Sequence, residues 1–256
     1  MKPFPLNEAN RSLLAEAFAD GQRVDLAIDC AIEGTMGTVL VDQPEAPTGF
    51  LLRAGIFHYF AGNPDSAASR GLIAAIEPPA LLMPSGPGWL EVAYTLHRER
   101  PYFHTRYSFS ADSLAADHLH RLASRSSTTG HVAPIDATTI GLVGEPERDL
   151  LAIDAFDSTA DFLQRGRGYF WLAGGQPVGA AHASLVCSKG IEVSIFVQSR
   201  QRRRGIATAL AARLLLDCLD EGLEPHWDAA NSESIGLAKK LGYQPLGPYE
   251  AAYLGT

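Results

Sequence analysis

Apolar and polar residues alternate most regularly in the second half of the chain. From Gly205 to Leu219, the residues Ala207, Leu210, Ala211, Leu214, Leu215 and Cys218 recur at three- and four-residue spacing, which predicts a helix with one buried face. Gly222 is placed to end that helix and Pro225 to prevent its continuation. Upstream, Gly168 to Ala173 and Pro177 to Val186 alternate or run apolar on either side of Gly174-Gly175, the pattern of a hairpin. Ile191 to Val197 reads as a third strand, and a short strand surrounds His226-Trp227-Asp228. Asn231-Ser232 is a plausible N-cap pair for a second helix that carries Ile235, Leu237, Ala238 and Leu241 to a stop at Gly242. One or two further strands are expected between Tyr243 and Tyr253.

The first half gives a less ordered pattern. Phe50 to Phe60 is apolar and strand-like, Pro64 to Ile76 looks helical, and Trp89 to Leu96 follows a Gly-Pro-Gly breaker, so this half reads as mixed α and β. Ala123 to Gly130 is short, polar and rich in small residues, which makes it the expected linker between a domain 1–128 and a domain 129–256.

Composition narrows the classes of protein this can be. With 256 residues, 46% hydrophobic and 20% charged, the chain can bury a substantial core and fill two modest domains. A formal net charge of −8 argues against a general nucleic-acid binder, so the arginines near 202 are a local feature. No apolar run approaches the ~20 residues of a membrane span, and the N-terminus lacks the basic and apolar segments of a secretory signal. A cytoplasmic protein without a membrane partner is expected. Cys30, Cys187 and Cys218 are too scattered for a disulfide framework and are read as reduced, packed thiols. His118, His120 and His226 form no recognisable ligand set with carboxylates or cysteines, so no metal is expected.

The candidate chemistry lies where the strand Ile191 to Val197 runs through Arg202, Arg203 and Arg204 into the helix at Gly205, Ile206 and Ala207. The first N–H groups of a helix have no partner within it, and they attract anions such as phosphate. Arginine adds forked donors suited to phosphate oxygens. A solvated arginine turn is the plainer alternative.

Arg202-Arg203-Arg204-Gly205-Ile206-Ala207 resembles the Gln/Arg-x-x-Gly-x-Gly/Ala signature of the GNAT-superfamily N-acetyltransferases. Asn231 after a strand and Leu241-Gly242-Tyr243 beyond the next helix resemble further landmarks of that superfamily, in the same order. More narrowly, Asp161-Phe162-Leu163, Gly166-Arg167-Gly168, Glu192-Val193-Ser194-Ile195, Pro225-His226-Trp227-Asp228 and Leu237 to Tyr243 are similar to a bacterial group that includes zwittermicin-resistance-like acetyltransferases. The likeness is close over roughly residues 150 to 253 and loose before them.

The resemblance implies an α/β (α+β) architecture. A C-terminal GNAT fold, with a central mixed, mostly antiparallel sheet flanked by helices, would follow a smaller α/β domain. It also implies acetyl-coenzyme A as co-substrate and transfer of acetyl to a primary amine, on a small molecule such as an antibiotic or toxin. Transfer to a protein N-terminus or lysine, and a non-catalytic acyl-coenzyme A binding module, are the alternatives. The cofactor contacts implied are Ile195, Phe196 and Val197 on the strand, Arg202 to Ala207 at the turn, and Asn231, which could instead cap its helix. Glu192 is the candidate general base, with an ordinary salt bridge as its plainer role. Ala238 stands where many of these enzymes have an acidic tyrosine, leaving Tyr243, Ser234, Tyr249 or Tyr253 to protonate the leaving thiolate, or no acid at all. Trp227 is read as core. Phe57, Tyr59, Tyr102 and Phe103 give the first domain aromatic groups with which to shape an acceptor pocket.

Overall fold

The computed structural model describes all residues except 20–25, 84, 87, 99–100, 125–128, 145–150, 152 and 256. They form two compact units, Met1–Arg106 with Pro248–Thr256, and Tyr107–Gly247.

In the first unit, β1 (Lys2–Pro3), α1 (Glu8–Ala17) and α2 (Ala27–Glu33) precede β2 (Thr38–Val41), β3 (Gly49–Ala54) and β4 (Phe57–Gly62). Then come α3 (Ala67–Ala74), β5 (Ala80–Leu82) and α4 (Trp89–Leu96). The apolar stretch 50–60 is thus two strands, turned at Gly55, whose φ of +57° costs a glycine little. Strand order is β1-β2-β3-β4-β5, with the C-terminal strand β12 (Gln244–Leu254) antiparallel to β5. Leu51, Phe60, Leu72, Ile73, Trp89, Val92, Ala252 and Leu254 share the core, where Phe60 stacks on Trp89 at 5.2 Å.

The chain leaves this unit within β6 (Tyr102–Ser110) and returns within β12. Between them lie α5 (Ala116–Ala123), β7 (His131–Pro134), α6 (Thr159–Arg165), β8 (Gly168–Ala173), β9 (Gln176–Val186), β10 (Gly190–Val197), α7 (Ile206–Glu221), β11 (Glu224–Ala229) and α8 (Ser232–Leu241). Strand order in the second unit is β6-β11-β10-β9-β8-β7, antiparallel except for the parallel pair β10 and β11. This is the mixed, mostly antiparallel sheet that was expected. The Gly174-Gly175 turn joins β8 to β9 with both glycines at positive φ.

The domain limits differ from the expected 1–128 and 129–256. The division falls after Arg106 because Phe109, Leu119 and Leu122 are buried against Ala211, Leu215 and Trp227, so β6 and α5 belong with the second core. Half of the expected linker, residues 125–128, lies outside the described residues. Helix α7 is apolar on two sides, which explains its central place: Ala211, Ala212 and Leu215 enter the core with Trp227, and Ala209, Leu210 and Leu214 enter another with Trp171 and Ile191.

Candidate active site

The site is organised by a parting of strands. The parallel register of β10 and β11 runs through Gly190↔Glu224 and Ile191↔Pro225 and ends at Glu192↔His226. Beyond that pair, β11 continues along β6 through Trp227↔Phe109, and β10 continues along β9 to Val197. Opposite Glu192 and Val193 the pairing with β9 shifts by one residue, Ser184 being the extra residue of a bulge in β9 that adds local twist there. Gly190 permits the close approach that starts the parallel pair, since a Cβ there would lie 2.0 Å from the Glu224 carbonyl oxygen.

Which backbone groups face the parted edge follows from antiparallel alternation. Gln198 N–H donates to the Val178 carbonyl at 2.9 Å, and Ala183 N–H donates to Arg167 on the other side of β9, also at 2.9 Å. This phase commits Ser194 and Phe196, opposite His182 and Ala180, to backbone bonds with β9. Val193, Ile195 and Val197 therefore turn their N–H and C=O groups toward the β11 side. Of the three strand residues expected to contact cofactor, Ile195 turns both backbone groups to that edge and Val197 its N–H, the Val197 carbonyl accepting from Arg202; those of Phe196 are spent within the sheet. Side chains alternate as well. Val193 and Ile195 pack beneath α7, which puts Glu192, Ser194 and Phe196 on the opposite face.

Beyond Val197 the turn is shaped for an anion. Arg202 Nε donates to the Val197 carbonyl at 3.1 Å, tying the turn back to the strand end. Arg203 has φ +65° and Gly205 φ +86°, two left-handed positions within three residues that fold successive N–H groups into a concavity. Gly205 is the N-cap of α7 and provides no side-chain cap, and no acidic residue lies in the first turn. Ile206 is buried, Ala207 is half-buried, and the side chains of Arg202, Arg203 and Arg204 are exposed. The strand edge turns amide groups, and the helix end N–H groups without a side-chain cap, toward the same side of the turn.

Glu192 and His226 meet at the parting, with His226 Nδ1 2.7 Å from Glu192 Oε2 and side-chain exposures of 14% and 15%. This pair was not legible in the sequence, because nothing in it aligns two parallel strands more than thirty residues apart. On the neighbouring strand His182 is fully buried, 6.3 Å from Phe162. Burial pushes its imidazole down to about 4, against a smaller upward pull from the Leu151 backbone, so it is neutral at pH 7.

Asn231 is the N-cap of α8, its side chain accepting from Ser234 N–H at 2.9 Å. Glu233 beside it is held below the usual carboxylate range by its own backbone N–H and the Ser232 hydroxyl, with further help from Arg203 and Arg202. The structure corrects the reading of Tyr243 as a candidate acid. It is buried, its hydroxyl donates to the Pro225 carbonyl at 2.7 Å, and burial raises its pKa well above the ordinary value. A phenol so placed packs the core against Phe109 and Trp227. Ala238 is also buried in that core, and Ser234 accepts from Trp227 Nε1 at 3.1 Å. Tyr249 and Tyr253 lie on β12 in the first unit, where Tyr253 packs on Tyr102. Cys30, Cys187 and Cys218 are buried free thiols, as expected. Among the described residues there is no cluster of three or more His, Cys, Asp or Glu placed to hold a metal ion, and no helix long and apolar enough to cross a membrane.

Residues 17–252, which include the parted strands β10 and β11 and the arginine-led start of α7, match the family described as GNAT acetyltransferase. The chain belongs to that family. Its structure is similar to that of a GCN5-related N-acetyltransferase-like protein from Streptococcus suis 89/1591, 31% identical, with a TM-score of 0.85 over 96% of this chain and 99% of that one. The uncharacterized N-acetyltransferase YdfB of Bacillus subtilis (strain 168) is 29% identical over 102 residues, a match spanning 39% of each chain. A putative GNAT acetyltransferase from Novosphingobium aromaticivorans, 18% identical with a TM-score of 0.53 over 82% of this chain and 89% of that one, shares the fold.

Proposed function

We propose that this protein transfers the acetyl group of acetyl-coenzyme A directly to a primary amine on a small molecule. The observation that carries the reading is the continuity of the site: between Glu192 and Ala207 one stretch of chain presents a partly buried carboxylate, an open strand edge and an uncapped helix end. Bound at that stretch, the thioester supplies the activated acetyl carbon.

The chain's own groups do the rest. Backbone N–H groups at the α7 end bind pyrophosphate, with Arg203 and Arg204 as further phosphate donors, and the helix dipole contributes about 0.3–1 kcal/mol. The Ile195 or Val197 N–H, directed toward the β11 side, stabilises the oxygen as it gains charge; losing such a donor costs about 2.7–4 kcal/mol in other acyl transfers. A primary amine of ordinary pKa about 10.4 is protonated at pH 7, and Glu192 takes its proton. With Ala238 and Tyr243 in the core, the thiolate departs without a tyrosine acid, which an ordinary thiol pKa of about 8.5 allows. In the first unit Tyr59 is fully buried and serves the core, while Tyr102 and Phe103 are exposed.

The test is release of free thiol from acetyl-coenzyme A against a panel of amines, antibiotics included, with peptides bearing lysine or a free N-terminus as a separate arm. Turnover confined to small amines is the expected result. Turnover confined to peptides would move the assignment to protein acetylation. Tight binding of acetyl-coenzyme A with no thiol from any acceptor would favour a non-catalytic acyl-coenzyme A module.

A further inference from the structure

Resting on that acetyl-transfer reading, we propose that His226 is a positioning residue for proton removal. Its Nδ1–H holds Oε2 of Glu192, leaving the other carboxylate oxygen to receive the proton of the acceptor amine. Three observations converge. The two side chains are 2.7 Å apart, a charge-assisted hydrogen-bond length. They belong to the last register pair before β10 and β11 part, so the bond is made at the mouth of the opened strand edge. Both are about one-seventh exposed, withdrawn from water yet reachable.

A glutamate side chain turns about three bonds, and a base must be held within hydrogen-bond reach of the proton it takes. Strand pairing fixes the backbone of Glu192 but not the carboxylate. His226, opposite it in the parallel register, supplies the missing constraint. Glu192 takes the ammonium proton before attack and passes it to water; the freed lone pair then forms the N–C bond, the nitrogen's second proton passes to Glu192, the C–S bond breaks with its electron pair on sulfur, and the thiolate takes a proton from water. The titratable groups sharing the face of His226 are Glu192 on β10, His182 on β9, and Glu224 and Asp228 on its own strand; Tyr243, on the opposite face, senses Glu192 and Glu224. His182, neutral at pH 7, adds no charge to that face.

The first experiment needs no acceptor. Imidazole nitrogen shifts of the wild-type protein should show the Nδ1–H tautomer of His226, giving way toward Nε2–H in Glu192→Ala. An Nε2–H tautomer in the wild type overturns the proposal, since that ring cannot donate to Glu192 through Nδ1. In turnover with an accepted amine, His226→Ala should lower kcat about ten- to a hundredfold while KM for acetyl-coenzyme A stays within about twofold. His226→Asn, whose side-chain N–H can stand in for Nδ1–H, should recover most of the loss. Wild-type kcat in His226→Ala, or equal losses in both variants that follow their melting temperatures, overturns the role. If acetyl-coenzyme A binds but no amine yields thiol, acetyl transfer itself fails, and this role with it, even where the tautomer is as expected.

Discussion

Helices α7 and α8 begin in opposite ways. Asn231, extended at φ −157°, folds its side chain back to accept from Ser234 N–H, and Glu233 puts a negative charge in the first turn. Its end is satisfied from within. Gly205, left-handed at φ +86°, offers α7 no side-chain cap, and three arginines precede it in place of an acid. The contrast separates a helix end closed by its own side chains from one whose first N–H groups no side chain caps.

The strongest way to break that contrast is Gly205→Glu, which puts a strained, negatively charged side chain where phosphate should lie. Coenzyme A affinity measured by calorimetry should fall about a hundredfold or more, with the fold checked by melting. Undiminished affinity would remove the α7 end from the site.

Asn231→Ala asks the converse question of α8. Loss of the cap should cost about 1 kcal/mol, or about 2–4 °C in Tm, with coenzyme A affinity within about twofold of wild type. A collapse of affinity at unchanged Tm would show Asn231 to be a ligand contact.

Arg203→Gly sharpens the picture on a smaller scale. Because glycine accepts the left-handed φ of +65°, Tm should hold or rise, while coenzyme A affinity drops a few-fold and its dependence on salt weakens. A lower Tm with unchanged affinity would make Arg203 purely structural.

The smallest expected effect concerns Glu233. Its folded pKa lies below the unfolded value, so it stabilises the fold above the ordinary carboxylate range, and the contribution is lost as pH falls through the folded pKa. Melting curves of the wild type and Glu233→Gln should differ slightly at pH 7 and converge in acid. A gap that persists at low pH would show the effect is not electrostatic.

Much of the second unit was legible because its signals are local. The spacing of Ala207, Leu210, Leu214 and Cys218 marks α7, Gly174-Gly175 marks the hairpin, and Asn231 and Gly242 bracket α8. In the first unit the turn at Gly55 falls inside Phe50 to Phe60, a stretch that looks strand-like throughout and gives no other sign of where it turns. The division after Arg106 depends on which core receives Leu119 and Leu122, a matter of contacts made far along the chain.

The chain's order of residues, taken alone, determined the strand, the arginine turn and the helix start from Ile191 to Ala207, since these follow from propensity, glycine geometry and unpaired helix N–H groups within a single stretch. Only the tertiary structure decided that β10 and β11 part at Glu192 and His226, that Phe196 spends its backbone on β9 while Ile195 and Val197 do not, and that Tyr243 is buried. Register between strands and the depth of a side chain are set by packing across the whole sheet, and no local pattern encodes them.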